Sequence, residues 1–160
     1  MIKYCGMSDF TVRKMNIDDY EQVKKLWLSI EGFCIRSIDD SYEGVLRFLK
    51  RNPNTSIVAE CDGSIVGAIL CGHDGRRGCF YHVCVHNDYR LRGIGKAMVV
   101  MAMDALREEN INKVSLIAFT KNDIGNAFWK QIGWTKREDL NYYDFTLNEA
   151  NIIKFIEAEG

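Results

Sequence analysis

Val83-Cys84-Val85-His86-Asn87-Asp88-Tyr89-Arg90-Leu91-Arg92-Gly93-Ile94-Gly95-Lys96 is the stretch on which the reading of this chain turns. It starts inside a β-rich run, Cys79 to Val85, and ends by opening a helix. The apolar residues of that helix, Ile94, Ala97, Met98, Met101, Ala102, Ala105 and Leu106, recur at helical spacing. The first amides of a helix have no intrahelical partners, and with the positive end of the helix dipole they form an anion site. Gly93 and Gly95 matter there because a side chain would hold an anion off the backbone. Arg90, Arg92 and Lys96 add positive charge around the site. A strand, loop and helix joined in this way suit a diphosphate.

Working outward, Phe10 to Lys14 reads as a first strand. Asn16 reads as the N-cap of a helix carrying Tyr20, Val23, Leu26, Trp27 and Ile30, which Gly32 ends. A second helix covers Tyr42 to Lys50 and stops at Asn52-Pro53. Ser56–Glu60 and Ser64–Cys71 are β-rich and separated by Asp62-Gly63, a strong hairpin signal. The turn His73–Gly78 then leads into the strand Cys79–Val85. Downstream come a strand over Lys113–Phe119, a helix over Asp123–Gln131, and a closing strand pair near Trp134–Arg137 and Tyr142–Leu147. Thr146 and Glu149 stand in capping-box spacing before Ile152, Ile153, Phe155 and Ile156, so a tail helix is expected over 148–159. The predicted order is βααβββαβαββα: a mixed, mainly antiparallel α/β sheet of about seven strands flanked by helices.

The chain has 160 residues, the size of one ordinary domain, and no Pro/Ser-rich linker, repeat or low-complexity tract divides it. Residues 1–160 are therefore read as a single domain, with 1–8 a disordered leader and Met7 an alternative start. There is no apolar run of about 18 residues, so no membrane span is expected, and the first residues lack the pattern of a secretory signal. The net charge of −1 argues against a nucleic-acid partner. The six cysteines form no C-x-x-C and mostly stand in apolar runs, which reads as reduced thiols in a cytoplasm. His73, His82 and His86 have no partner at zinc-site spacing, so no metal is expected.

Three phosphate motifs compete for the loop. The dinucleotide fingerprint G-x-G-x-x-G fits only in its first half, because Met98 takes the third glycine's place, and it belongs after the first strand of a parallel unit. A P-loop needs Ser or Thr after Gly95-Lys96, where this chain has Ala97. The pattern R-x-x-G-x-G, Arg90 to Gly95, fits in full. It resembles the coenzyme-A signature of the GNAT superfamily of N-acetyltransferases, and the order of elements matches. A second family motif is similar to Asn122-Asp123-Ile124-Gly125-Asn126-Ala127-Phe128-Trp129-Lys130-Gln131-Ile132-Gly133-Trp134. The turn Asp74-Gly75-Arg76-Arg77-Gly78 looks like that of a bacterial subgroup of small acetyltransferases.

The resemblance implies a co-substrate, acetyl-CoA, and a set of roles. Val83, Cys84 and Val85 would pair with the pantetheine arm through backbone groups. The amides of Arg92, Gly93, Ile94, Gly95 and Lys96 would hold the pyrophosphate, with Arg90 and Leu91 completing the loop. Asn122 would reach the pantetheine, and Trp129 would either cover it or pack in the core. The acetyl group would pass directly to a primary amine of a small molecule or protein, with the Val83 amide stabilising the oxyanion; such a donor is worth about 3–4 kcal/mol. Here the chain departs from the family. Cys79 and Tyr81 occupy the positions where many members carry Glu or His, so Tyr81 is the candidate catalytic side chain. Alternation along the strand would turn His82 to the opposite face. Trp129 replaces the usual acidic tyrosine, leaving Tyr142, Tyr143 or water to protonate the thiolate. The acceptor would enter beside Glu31, Phe33, Arg36, Asp74, Arg76 and Arg77, each of which also reads as a solvated surface residue. The family is commonly dimeric, and the apolar tail fits a homodimer. A non-catalytic acyl-CoA-binding regulatory module is the alternative to an enzyme.

Overall fold

In the computed structural model, which describes residues 2–4 and 9–157, Asp62 and Gly63 both take positive φ, 49° and 79°. That is the backbone of the tight turn whose twist matches its flanking strands. It joins β4 (Ile57–Cys61) to β5 (Ser64–His73), and β5 pairs antiparallel with β6 (Gly78–Val85). On the other side of β4 lies β2 (Phe10–Lys14), and beyond it β1 (Ile2–Tyr4), also antiparallel. At the far edge β7 (Val114–Leu116) joins β6 in parallel. The sheet thus runs β1-β2-β4-β5-β6-β7, mainly antiparallel with one parallel pair at its edge.

Helices cover both faces. Asn16 and Asp19 form a reciprocal capping box on a short 3₁₀ turn, Ile17–Asp19, that leads into α1 (Tyr20–Leu28). Ser41 caps α2 (Tyr42–Arg51) by accepting from the Gly44 amide. The two bury Val23, Trp27, Val45 and Leu49 against Val58, Ala68 and Cys84. On the opposite face α3 (Ile94–Glu108) buries Ile94, Met98, Ala102 and Leu106 against Val12, Ile57, Ile69 and Phe80. β5 is buried from Ile65 to Gly72, as a strand covered on both faces must be. α4 (Asp123–Gln131) rests its Phe128 and Trp129 on the rim of the α3-side core.

The mixed, mainly antiparallel sheet flanked by helices agrees with expectation, as do a strand within Lys113–Phe119 and the helix over Asp123–Gln131; the chain from Trp134 onward differs. Trp134–Arg137 and Tyr142–Leu147 form no closing strand pair and are irregular. No helix forms over 148–157; β8 (Ile153–Phe155) pairs instead with β3 (Cys34–Arg36) as a separate ribbon. The capping-box pattern failed there because Asn148 accepts from the Ala150 amide and Asn151 bonds back to Ile38 and Asp39. These local turn bonds compete with a helix start. Of the expected leader, residues 2–4 form β1, and positions 1 and 5–8 lie outside the described residues.

Candidate functional site

β7 pairs only with Gly78 to Phe80. Beyond Phe80 the two strands part, and among the described residues the edge of β6 from Tyr81 to Val85 has no strand neighbour on that side. At the same place β6 bulges: Ala68 faces Cys84 and Leu70 faces Tyr81, so His82 and Val83 together oppose Ile69. His82 carries the bulge at φ 50°, an uncommon conformation for a residue with a Cβ.

The bulge corrects one expectation. Strict alternation would put Tyr81 and His82 on opposite faces. Instead both face the α1/α2 side, where Tyr81 meets Phe48 and His82 meets Trp27, while Val83 and Val85 pack on the α3 side. The His82 ring lies 4.8 Å from the rings of both Trp27 and Phe33. Its Nε2 is 2.7 Å from Oδ1 of buried Asp40. The Arg36 amide donates to the other Asp40 oxygen at 2.6 Å, and the Tyr20 hydroxyl donates to the Asp40 carbonyl. The sequence singled out neither Asp40 nor its pairing with His82; no local spacing ties position 40 to position 82.

The start of α3 is built as expected. Gly93 takes φ 82° as N-cap, a conformation that favours glycine, and supplies no side chain to cap the helix. A Cβ on Gly95 would stand 3.2 Å from the Phe128 ring, so this glycine also permits α4 to approach. Arg90 donates from Nε to the Val85 carbonyl, and Arg92 donates to the Asp88 carbonyl with its guanidinium 5.0 Å from the Tyr89 ring. Leu91, at φ 63°, projects into solvent. The junction therefore presents a cationic loop and the open amides of a fifteen-residue helix beside the free edge of β6.

Asn122 caps α4 through its side-chain oxygen, which accepts from the Gly125 amide at 3.0 Å. That leaves its side-chain NH2 as the group able to reach outward. Trp129 lies in an aromatic cluster with Phe80, Phe128 and Trp134, the last at 4.7 Å between ring centroids. Packing accounts for its position without a ligand.

On the α2 side, Phe48, Arg51, Asp74, Arg77, Cys79 and Tyr81 line a cleft of about 310 Å³. Asp74 holds its turn by accepting from the Arg76 and Arg77 amides, and those bonds keep its carboxyl below the ordinary range. Partial burial pushes the Tyr81 phenol up to about 12, so it is protonated at neutral pH and suits a donor rather than a base. Burial pushes the Cys84 thiol to about 12 as well, and raises Cys79, which makes both poor nucleophiles. Of the expected acceptor contacts, the structure brings Phe33 and the Arg36 backbone to the His82 pair, and Asp74 and Arg77 to the cleft. Glu31 and Arg76 stand exposed. Among the described residues no cluster of three or more metal-ligating side chains occurs, and no helix is long and apolar enough to cross a membrane.

A family model described as the acetyltransferase (GNAT) family matches residues 20–134. An acetyltransferase of Sodalis glossinidius (strain morsitans) is 30% identical over 129 residues, spanning 81% of this chain and 89% of that protein. Among solved structures, the PaiA N-acetyltransferase of Thermoplasma acidophilum, in complex with coenzyme A, superposes with a TM-score of 0.69 at 19% identity, over 82% of this chain and 92% of that one. The ribosomal-protein-alanine N-acetyltransferase of Brucella melitensis biovar Abortus 2308 gives 0.65 at 22% identity, over 87% and 99%. The two structural likenesses are statements about fold.

Proposed function

The chain belongs to the acetyltransferase (GNAT) family, and from that premise we propose how its own residues carry out acetyl-CoA-dependent N-acetyl transfer. The observation that carries the reading is the parting of β6 from β7 beside the uncapped start of α3. The amides of Arg92 to Lys96 hold the pyrophosphate, and Arg90, Arg92 and Lys96 add charge. Val83, Cys84 and Val85 pair with the pantetheine through the free strand edge, and the Asn122 side-chain NH2 reaches it from α4. The Val83 amide donates to the carbonyl oxygen as it becomes an oxyanion. The acceptor amine approaches from the α1/α2 side, past Phe33 and the cleft below Tyr81. Attack is direct; no cysteine takes the acetyl group, in keeping with the raised Cys79 and Cys84 thiols.

A primary amine is the acceptor class. An alanine-terminated peptide is a sensible first probe, since one structural relative bears a ribosomal-protein-alanine title; spermidine and a lysine peptide complete the panel. The free thiols support a reducing, cytoplasmic setting, and the exposed apolar side chains of Phe145 and Leu147 support a homodimer.

The test has two stages. Acetyl-CoA at a hundredfold excess over its dissociation constant should stabilise the fold by about 2.7 kcal/mol. Release of free CoA thiol with the amine panel should then exceed release without protein. Stabilisation without thiol release from any amine or water would favour a non-catalytic binding module. Absence of both would remove the reading.

A further inference from the structure

We propose that His82 is the general base of the transfer and that Asp40 is its positioning residue; this rests on the reading above that the acetyl group lies at the Val83 amide. His82 immediately precedes Val83 at the bulge, and its ring is turned to the side from which the acceptor comes. Nε2 faces the Asp40 carboxylate at 2.7 Å, so that nitrogen carries the proton and Nδ1 presents a lone pair. Among the described residues Nδ1 has no hydrogen-bond partner. The side chain keeps 14% of its surface exposed, while Asp40 keeps 6%. A buried acid behind a slightly exposed imidazole is an arrangement that fixes one tautomer and stabilises the imidazolium once it forms.

A histidine serving only to fill the core would not need these surroundings. Its backbone is held at φ 50° without being glycine, and strain of this kind concentrates at functional sites. The neighbouring Trp27 is fully buried, and its Nε1 has no partner among the described residues, a second unfavourable feature beside the same ring. The titratable groups around the pair are few. Tyr81 and Cys84 lie on β6, Tyr20 on α1 bonds to the Asp40 carbonyl, and Arg36 contributes only its amide. Among the described residues Asp40 is thus the one charged partner of the imidazole.

In the reaction the amine nitrogen attacks the thioester carbon, the C–N bond forms, and Nδ1 takes the proton that the nitrogen sheds. The C–S bond then breaks with its electron pair going to sulfur, and the thiolate takes a proton from the imidazolium or from solvent. Nothing is oxidised or reduced, and His82 returns to its starting state.

The test monitors CoA thiol release across pH for wild type, His82→Gln and Asp40→Asn. It uses the alanine-terminated peptide as acceptor and, in parallel, water alone, since hydrolysis needs the same base. His82→Gln should lower kcat by about 100- to 1000-fold and abolish the acid limb of the pH profile, while acetyl-CoA still raises its melting temperature. Asp40→Asn should lower kcat less and move the acid limb to lower pH, because the imidazolium has lost its counter-charge. A melting temperature that falls in either variant while kcat and the limb stay put would make the pair structural and overturn the proposal. If His82→Gln does not fold, an unmoved limb in Asp40→Asn overturns it alone. Wild type that binds acetyl-CoA yet releases no thiol at any pH overturns it together with the transferase reading, whereas unaltered release in the variants overturns only the His82 assignment.

Discussion

Residues 10–111 and 112–157 are built on different terms. Every buried hydrophobic side chain among the described residues lies between Phe10 and Ile111, and none from Asn112 to Glu157 is buried. The first region closes two cores around β5. The second leans Phe128, Trp129 and Trp134 on the rim of one core and leaves Tyr142, Tyr143, Phe145 and Leu147 in solvent. Stability is therefore decided before residue 112. The second region instead shapes the open edge of β6, where the ligand is proposed to lie.

That contrast breaks first at the core. Trp27→Ala removes a fully buried indole at the centre of the α1/α2 layer and should cost about 3–5 kcal/mol by urea unfolding. A cost below about 1 kcal/mol would mean that the first region does not dominate stability. Next comes the junction of the two regions. A Cβ on Gly93 meets no atom of the described residues within 4 Å, but the residue must adopt φ 82°. Gly93→Glu should thus fold, yet lose the stabilisation of about 2.7 kcal/mol that acetyl-CoA gives wild type at a hundredfold excess. An undiminished shift in melting temperature would place the pyrophosphate elsewhere.

A third effect sharpens the account of the first region. Burial alone would raise Asp19, but its hydrogen bonds from the Arg13 side chain and the Asn16 amide outweigh this and hold it below the ordinary range. A carboxylate lowered in the folded state stabilises fully above its unfolded pKa of about 3.9 and loses that contribution as pH falls through the lower folded value. Arg13→Gln should cost about 1.5–3 kcal/mol near neutrality and blunt this loss in acid unfolding curves. The smallest change belongs to the second region: Leu140→Ala, at a side chain 61% exposed, should alter stability by less than about 0.5 kcal/mol.

How much the sequence revealed follows this division only in part, since the helix expected over Asp123–Gln131 in the second region formed with those bounds. Inside 10–111 the signals were local and strong: Asn16 as an N-cap, Asp62-Gly63 at the hairpin, and apolar residues at helical period from Ile94. Each found its element within a residue or two. The phosphate loop was legible for the same reason, since glycines and cations cluster in six consecutive positions. Beyond residue 112 the β-rich run Tyr142–Leu147 and the capping pattern at Thr146 needed a packed surface to be realised. Turn bonds of Asn148 and Asn151 prevailed instead. The His82–Asp40 pair was hidden for a third reason. A bulge shifts side chains between faces without a signature in one strand, and the pairing spans 42 positions.

The most direct test of acetyl-CoA binding at the β6–α3 junction is amide-resolved NMR of ¹⁵N-labelled protein titrated with acetyl-CoA. With the ligand at this junction, the amides of Arg92 to Lys96 and of Val83 to Val85 should move together and saturate at one dissociation constant, while those of α2 and β2 stay still. Saturable shifts elsewhere, with these two runs unmoved, would contradict that placement.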